Sequence, residues 1–307
     1  MTAQAQLATA RHAAPESSPA PFQSAGRLLH GYSIEVTGAD RTVAEACDSD
    51  LPIGTEVFIA FTPGERPERV VQAARRLSAA GLTPTPHIIA RAMTSQAMLE
   101  RLLGRLADEG GARQALVLAG DRAEPAGPYH CSLELVETGL FERRGFRRLA
   151  FALHPEGHPA VGAAEMRQAL QAKLAAARFR GLEARLVSQF TVDAAPILPR
   201  LLALHGEAPG ATARIGLAGP TDPGMLLKYA LYCGVGASLK GLRNHGEALA
   251  QLNRNGRADQ ILADLALALD ADTLPLPRIE GIHLFTFGGV AKSVAWANRL
   301  IAEAGCA

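Results

Sequence analysis

The amino-acid sequence predicts an α/β protein with a single (β/α)8 TIM barrel. Eight short apolar segments recur along the 307 residues, and stretches with helical spacing of their apolar residues lie between them. No Pro-, Gly- or Ser-rich linker divides the middle of the chain, which favours one domain over two. The alternative is an open doubly wound sheet, but the G-x-G-x-x-G pattern expected after its first strand is absent.

The eight apolar segments are the predicted strands. They are 32–36 (YSIEV), 55–61 (TEVFIAF), 83–89 (TPTPHII), 114–120 (QALVLAG), 148–153 (RLAFAL), 183–190 (EARLVSQF), 213–219 (ARIGLAG) and 281–287 (GIHLFTF). Helices are predicted over 65–81, 94–111, 163–181, 244–270 with an interruption at NRNGR, and 292–305. The second of these opens with a Ser/Thr cap, and the first, second, third and fifth end at glycine.

The N-terminal residues 1–27 are predicted to be a loose arm ahead of a barrel domain over 28–307. The arm is rich in Ala, Ser and Pro, and it lacks the basic start and apolar stretch of a secretory signal. No apolar run approaches the ~18 residues of a membrane span. The four cysteines share no short spacing, so we expect reduced thiols in a cytoplasmic protein.

The charge balance argues against a partner held by bulk charge. Lys and Arg number 31 and Asp and Glu number 30, so neither a nucleic acid nor a membrane surface is expected as a partner. The glycine-rich segment 234–241 (GVGASLKG) follows a helical segment, and its Lys240 is displaced from the phosphate-loop position. A loop that meets a phosphate remains open for this segment.

Polar residues fall at or beside the predicted strand ends, where a barrel carries its chemistry. They are Glu35, His87, Asp121, His154, Glu156, His158, Gln189 and Asp193. If Glu35 points into the barrel opening, desolvation should raise its pKa and make it a proton donor near neutral pH. An exposed strand-end glutamate and a helix-capping aspartate are the simpler interpretations of Glu35 and Asp121.

The segment HPEGHP (154–159) places two histidines four residues apart around a glutamate. This spacing occurs in zinc-protease helices, but two prolines and Gly157 favour a loop here. A plain turn and a metal site formed with His87 both remain open.

Six pieces occur in an order that resembles the methylenetetrahydrofolate reductase family, in its bacterial single-domain form. They are YSIEV, TPHII, LVLAGDR, HPEGHP, SQFTVD and GIHLFTF. The resemblance extends over about residues 30 to 303. It implies a barrel that binds FAD non-covalently and often forms dimers or tetramers. The implied reaction belongs to one-carbon metabolism and methionine biosynthesis: a reduced nicotinamide such as NADH reduces the flavin, and 5,10-methylenetetrahydrofolate is then reduced to 5-methyltetrahydrofolate.

The resemblance also implies roles for particular residues. Glu35 matches the general acid, Asp121 matches an aspartate near flavin and pterin, and Gln189 matches a glutamine that binds the pterin. The positions that match flavin contacts are His87, Gly120, Asp121, His130, Ala152, His154 and His158. No metal is implied, so HPEGHP becomes a flavin-binding loop.

The sequence departs from the family pattern in several places, three of them at or beside the matched residues. VTGAD follows the acid in place of an aromatic and proline-rich stretch, Ala119 precedes Gly-Asp where Arg is frequent, and His154 replaces a frequent Tyr. A cationic contact from Lys240 is one way to offset the second departure. The alternatives are a family variant that oxidises 5-methyltetrahydrofolate or uses another electron donor, a metal-dependent hydrolase with His87, His154 and His158, and a non-catalytic flavin or folate binder.

Overall fold

The computed structural model describes residues 20–62, 64–233, 235, 258–269 and 275–305. Its eight strands form one closed barrel in sequence order, and every neighbouring pair is parallel, including the closing pair of the first and last strands. The predicted (β/α)8 fold is therefore confirmed.

The strands lie close to their predicted positions. They are β1 Ser33–Thr37, β2 Glu56–Ala60, β3 Thr83–Ile89, β4 Gln114–Leu118, β5 Arg148–Leu153, β6 Glu183–Ser188, β7 Thr212–Ala218 and β8 Arg278–Phe285. The largest difference is in β8, which begins three residues before the predicted segment. A register shift between Ala213 and Arg214 accompanies this longer pairing of β7 with β8.

Eleven α-helices occur in the described part of the chain. They are α1 Ala20–Leu29, α2 Asp40–Cys47, α3 Pro67–Ala79, α4 Gln96–Asp108, α5 Ser132–Glu137, α6 Leu140–Arg143, α7 Ala163–Phe179, α8 Ile197–Glu207, α9 Pro223–Tyr232, α10 Ala258–Leu269 and α11 Val290–Glu303. The predicted cap of α4 is present, because Ser95 Oγ accepts a hydrogen bond from the main-chain N–H of Met98 at 3.2 Å. The segment GVGASLKG with Lys240 lies outside the described residues, apart from Val235, and so does 244–257.

The prediction of a loose arm is wrong over residues 20–27, which belong to α1. This helix packs against α10, α11 and β8. Ala25 and Leu29 are buried, and Gly26 leaves no room for a Cβ because Ala304 lies directly against it. Burial of this apolar face outweighs the local Ala, Ser and Pro composition that suggested disorder. Residues 1–19 lie outside the described part.

The barrel interior has three layers. We define the floor, near the N-terminal ends of the strands, as Glu56, Thr85, Gln114, Arg185, Arg214 and Glu280. The plug is the apolar cluster Phe58, Leu116, Ala150 and Val187 with Leu118 against it. The mouth is the opening at the C-terminal ends of the strands, where Glu35 lies. A polar layer is therefore found on each side of a thin apolar one.

Among the residues that the structure describes, no helix has the length and apolar character that a membrane crossing requires.

Candidate functional site

Glu35 lies on β1 at the mouth with two imidazoles beside its carboxylate. Its Oε2 is 3.4 Å from His87 Nε2 on β3 and 3.9 Å from His283 Nε2 on β8. The Glu35 side chain is 22% exposed, whereas the His87 side chain is 9% exposed and that of His283 is fully buried. The structure therefore brings together two predicted site residues, Glu35 and His87, and adds His283 to them.

Ser33 sets the orientation of the His283 ring. Strands β1 and β8 pair with Ser33 opposite His283, and Ser33 Oγ lies 2.9 Å from His283 Nδ1. A proton on Nε2 of His283 is favoured because Nε2 faces the Glu35 carboxylate. Nδ1 then accepts the hydrogen bond that the Ser33 hydroxyl donates. The result is an ordered chain from hydroxyl to imidazole to carboxylate.

The pKa of Glu35 is lowered from 4.5 to about 2, so the prediction of a raised pKa is wrong. Desolvation is the largest single influence, and it acts in the predicted upward direction. The nearby N–H groups and positive charge of His283 and His87 together outweigh it. Glu35 is therefore a carboxylate at neutral pH in this ligand-free arrangement, and burial lowers the pKa of His283.

The two imidazole Nε2 atoms are buried, and neither forms a well-aligned hydrogen bond within the described part of the chain. At 3.4 and 3.9 Å their interaction with Glu35 is mainly electrostatic. Buried N–H groups without a partner are costly, and a ligand or water that reaches Glu35 can satisfy them. The arrangement is therefore suited to holding or moving a proton at the Glu35 carboxylate.

Asp121 follows β4 on an exposed turn that Gly120 makes possible. Gly120 has φ +93°, and a Cβ there would collide with Ile89 Cγ2. Burial raises the pKa of the Cys233 thiol to about 11, and the charges of Glu35 and Asp121 add to the increase. Asp121 follows the C-terminal end of β4 and therefore lies on the mouth side of the barrel, as Glu35 does.

Arg91 fixes the loop that carries Asp121. Its main-chain N–H donates to Ala119, and its side chain donates to the main-chain oxygens of Arg122 and His130, each at 2.9 Å. His130 itself is exposed at the start of α5, and the Glu134 carboxylate accepts a hydrogen bond from its main-chain N–H. The structure thus places His130 on the Asp121 loop, with its imidazole at the surface.

Gln189 follows β6 and is tied to the end of β5. Its main-chain N–H donates to Leu153 O at 2.8 Å, and its Oε1 accepts from the main-chain N–H of Phe190 at 3.1 Å. Within the described residues its side-chain NH2 has no hydrogen-bond partner, so this group can donate to a ligand. Ala152 lies nearby on β5, paired with Val187 of β6, and is partly buried.

HPEGHP forms a turn, as its prolines and glycine predict. Gly157 has φ +82°, and its N–H donates to His154 O at 3.2 Å. The rings of His154 and His158 meet edge to face with centroids 5.2 Å apart. Burial lowers the pKa of His154 to about 4, and the positive charge of His158, Lys173 and Arg200 adds to the decrease. Among the described residues, His154 Nδ1 is buried and has no hydrogen-bond partner.

The described ranges of the chain contain no set of ligands for the metal site that the sequence left open. No group of three or more His, Cys, Asp or Glu residues is arranged there to hold a metal ion. His87 interacts with Glu35, whereas His154 and His158 contact each other.

An aromatic cluster lies beside the mouth. It consists of Phe190, Tyr229, Phe285 and Phe287. The rings of Tyr229 and Phe287 stack with centroids 4.4 Å apart and an angle of 18°. Phe287 has φ +47°, a backbone conformation that a phenylalanine adopts only when its surroundings impose it. The cluster gives the mouth an apolar wall next to its carboxylates.

Sequence reasoning missed Ser33, His283 and Cys233 as members of the site. Ser33 and His283 lie within apolar segments that were recognised only as strands, and Cys233 follows a helix. A polar residue inside an otherwise apolar barrel strand is the signal that could have identified the first two. No comparable pattern marks Cys233.

Two surface depressions lie away from the mouth. One, of about 680 Å³, is found between α2 and α11, and the other, of about 500 Å³, is lined by residues near the N-terminal ends of β3, β4 and β5. Neither contains a predicted site residue. We therefore place the candidate site at the mouth, because the titratable side chains lie together there.

Comparison with known proteins identifies barrel enzymes of low similarity. No protein-family model matches the chain. Dihydropteroate synthase from Thermus thermophilus is 14% identical with a TM-score of 0.45, and the alignment covers 88% of this chain and 93% of that one. A lyase/mutase described as putative, from Burkholderia cenocepacia, is 15% identical with a TM-score of 0.43 over 92% and 87% of the two chains. Both TM-scores are below 0.5, so these similarities carry no conclusion about the activity of this chain.

Proposed function

We propose that the protein is a flavin-dependent oxidoreductase that interconverts 5,10-methylenetetrahydrofolate and 5-methyltetrahydrofolate, as methylenetetrahydrofolate reductases do. The observation that carries the proposal is the Glu35 carboxylate between His87 and His283 at the mouth. Asp121 and Gln189, which match the same family, lie at the ends of other strands. The donor proposed for the reductive direction is a reduced nicotinamide.

The residues proposed to hold FAD suit a large polar cofactor. His154 Nδ1 is a buried polar atom that has no hydrogen-bond partner in the described part of the chain, and Lys173 adds positive charge beside it. Gly120 and Ala152 carry little or no side chain, so a ring can approach their main chain closely. Bound FAD would supply hydride transfer between the nicotinamide and the folate. His87, His130 and His158 complete the proposed set.

The residues proposed to hold the folate act on its charge and its ring. The free NH2 group of Gln189 can donate to an acceptor on the pterin edge. The Asp121 carboxylate favours the cationic iminium that forms when the methylene bridge opens. The aromatic cluster around Phe285 offers an apolar wall for a planar ring.

Glu35 supplies the proton in the reductive direction. Ring opening requires protonation of the bridging nitrogen, whereas Glu35 is ionised in the ligand-free arrangement. A folate that covers the 22% exposed side chain removes its remaining contact with water. Desolvation favours the protonated carboxyl, so the pKa of Glu35 rises when the folate binds. Glu35 then donates to the nitrogen while His87 and His283 hold its position.

Oxidation of 5-methyltetrahydrofolate is the second candidate, and the low pKa of Glu35 favours it. In that direction the methyl group loses a hydride to the cofactor, and the nitrogen that closes the bridge loses a proton. Glu35, already ionised with a pKa of about 2, can accept that proton directly.

The visible absorption spectrum of the purified protein, followed by NADH without oxygen, is the first test. A bound flavin that bleaches with NADH and is reoxidised by 5,10-methylenetetrahydrofolate supports the reductive assignment. A flavin that bleaches with 5-methyltetrahydrofolate but not with NADH supports the oxidative one. A protein that remains colourless after incubation with FAD contradicts both.

Glu35→Gln separates catalysis from binding. We expect the folate half-reaction to slow by about 10²- to 10⁴-fold because the proton donor or acceptor is lost. Flavin content and its reduction by NADH should remain. Glu109→Gln, which removes an exposed carboxylate on the surface, is the matched control. Folate turnover that survives in Glu35→Gln would remove Glu35 from this role, and ligand binding without any turnover in the wild type would identify a non-catalytic binder.

A further inference from the structure

Phe58 is the largest side chain of the plug and separates two polar groups inside the barrel. It is fully buried on β2, two residues after the floor residue Glu56. Its ring centroid lies 4.5 Å from that of His283 and 6.3 Å from that of His87. The guanidinium carbon of Arg185, in the floor, lies 5.7 Å from the same ring.

The layer around Phe58 is thin. Its other members are Leu116, Ala150, Val187 and Leu118, of which Ala150 has almost no side chain. One aromatic ring therefore accounts for much of the apolar material between the buried histidines and the floor arginine. Removing it opens a path for water or for the Arg185 charge to reach the imidazoles.

We infer that Phe58 is a positioning residue that holds the His87 and His283 rings toward Glu35 and insulates them from the charged floor. This inference goes beyond the proposed function and rests on it only where catalysis is concerned. Phe58 is the register partner of Glu35 on the neighbouring strand, but its ring carries no group that exchanges a proton. It acts through the imidazoles, by packing against their rings and by excluding water from their lower side.

Several charged or titratable groups face the two imidazoles. They are Glu35 from β1, Arg214 from β7 and the other histidine of the pair, with Arg185 from β6 beyond the ring of Phe58. Glu35 favours the protonated form of His283, whereas Arg214, His87 and burial disfavour it. Burial is the largest of these influences, and Phe58 packs directly against the His283 ring. Loss of the ring should therefore be most evident at His283.

The test is an NMR titration of the protein labelled with 13C at the histidine rings. Spectra of His283→Gln and His87→Gln assign the two signals. In Phe58→Ala, water reaches the ring, and we expect the pKa of His283 to rise toward its ordinary value by about half a unit or more. Phe58→Leu should give a smaller rise in the same direction, and it keeps the inference testable if the alanine variant does not fold.

Val187→Ala is the matched control, because Val187 belongs to the plug but, unlike Phe58, has no aromatic ring to pack against the histidines. Its loss loosens the same layer without removing the aromatic contact. We expect no measurable change in the pKa of His283. An unchanged value in both Phe58 variants, or an equal rise in Val187→Ala, would overturn the inference.

The titration needs neither flavin nor folate, so its failure is distinguishable from failure of the proposed function. If the proposed reaction is confirmed, Phe58→Leu should also shift the pH profile of the folate half-reaction. A purely structural residue would lower stability and leave that profile unchanged.

Discussion

The mouth and the floor of the barrel each hold a carboxylate, but they surround it with different basic side chains. Glu35 at the mouth faces His87 and His283. Glu56 in the floor is paired with Arg185 and lies 3.6 Å from Arg214 Nε. The two acids lie on neighbouring strands and have only a thin apolar layer between their levels. The two acids therefore show separately how burial and how the type of partner affect the charge of a carboxylate.

Arginine partners give the floor a fixed charge. Burial lowers the pKa of Arg185 to about 10, and Arg214 adds to the decrease, yet the group remains a cation at neutral pH. Thr85 Oγ1 donates to Glu56 Oε1 at 2.7 Å, and Gln114 Nε2 donates to Thr85 Oγ1 at 2.9 Å. A network of this kind holds strands together and does not exchange protons near neutral pH.

Imidazole partners make the mouth titratable. The pKa of His283 is lowered by burial, and Glu35 is ionised beside it, so the charge of this pair depends on how far it is shielded from water. Burial alone therefore does not identify a functional carboxylate. A partner that can gain or lose a proton near neutral pH is the more informative feature.

Arg185→Met should produce the largest change in stability. It leaves Glu56 and Glu280 short of a buried cation, and we expect the free energy of unfolding to fall by about 3–5 kcal/mol. Urea denaturation measures this. Glu183→Gln, which breaks the more exposed pair with Arg148, is the control and should cost no more than about 1 kcal/mol. Equal effects would show that the floor does not act as a coupled network.

The Glu35 carboxylate should make stability depend on pH below the neutral range. Its folded pKa is about 2 against an ordinary value of 4.5, so it contributes about 3 kcal/mol above pH 4.5. This contribution is lost as pH falls from 4.5 toward 2. Urea unfolding from pH 6 to pH 2.5 should therefore show the wild type and Glu35→Gln converging as pH falls. A constant difference would mean that the histidines do not lower the pKa of Glu35.

Gly120→Ala tests whether the mouth loops are shaped more strictly than those on the floor side. Gly120 combines φ +93° with a steric collision against Ile89, and we expect a loss of about 1–3 kcal/mol. Gly145 precedes β5 on the floor side and has φ +79°, but nothing lies within 4 Å of an added Cβ. Thermal or urea unfolding of Gly145→Ala should show only the backbone cost, about 1 kcal/mol. A larger loss at Gly145 would reverse the comparison.

Ser33→Ala should give the smallest effect. It removes one hydrogen bond to His283 Nδ1, worth about 0.5–1.5 kcal/mol, and releases the ring tautomer. If the proposed reaction is confirmed, its folate half-reaction should slow by up to about tenfold. Reduction of the flavin by NADH needs no proton at the folate nitrogen and serves as the internal control. Equal slowing of both half-reactions would show that Ser33 acts on folding and not on the proton.

The barrel was predictable because its pattern is local. The alternation of apolar strand segments with amphipathic stretches predicts all eight strands. The rule that a barrel carries its chemistry at the C-terminal ends of its strands selects Glu35 and His87, which the structure places 3.4 Å apart. The partners of Glu35 were not predictable in this way. His283 lies inside β8, where a polar residue in an apolar run was not counted, and the pKa of Glu35 was predicted with the wrong sign as a consequence.

Composition was misleading where tertiary packing dominates. The stretch before β1 has few large apolar residues, yet Ala25, Gly26 and Leu29 fit closely against α11 and its neighbours. A window of sequence does not contain the partner surface that makes such a segment fold. The role of Arg91 was not predictable for the same reason, because its side chain holds a loop that comes some thirty residues later in the chain.

Closure of the barrel by β1 and β8 has a consequence for biosynthesis. Ser33 and Glu35 leave the ribosome early, whereas His283 belongs to the last strand. Until β8 has been synthesised the carboxylate lacks one of its two imidazoles, and a chain released before β8 contains Glu35 without His283. The reactive arrangement is therefore completed only when the final strand of the barrel has been synthesised.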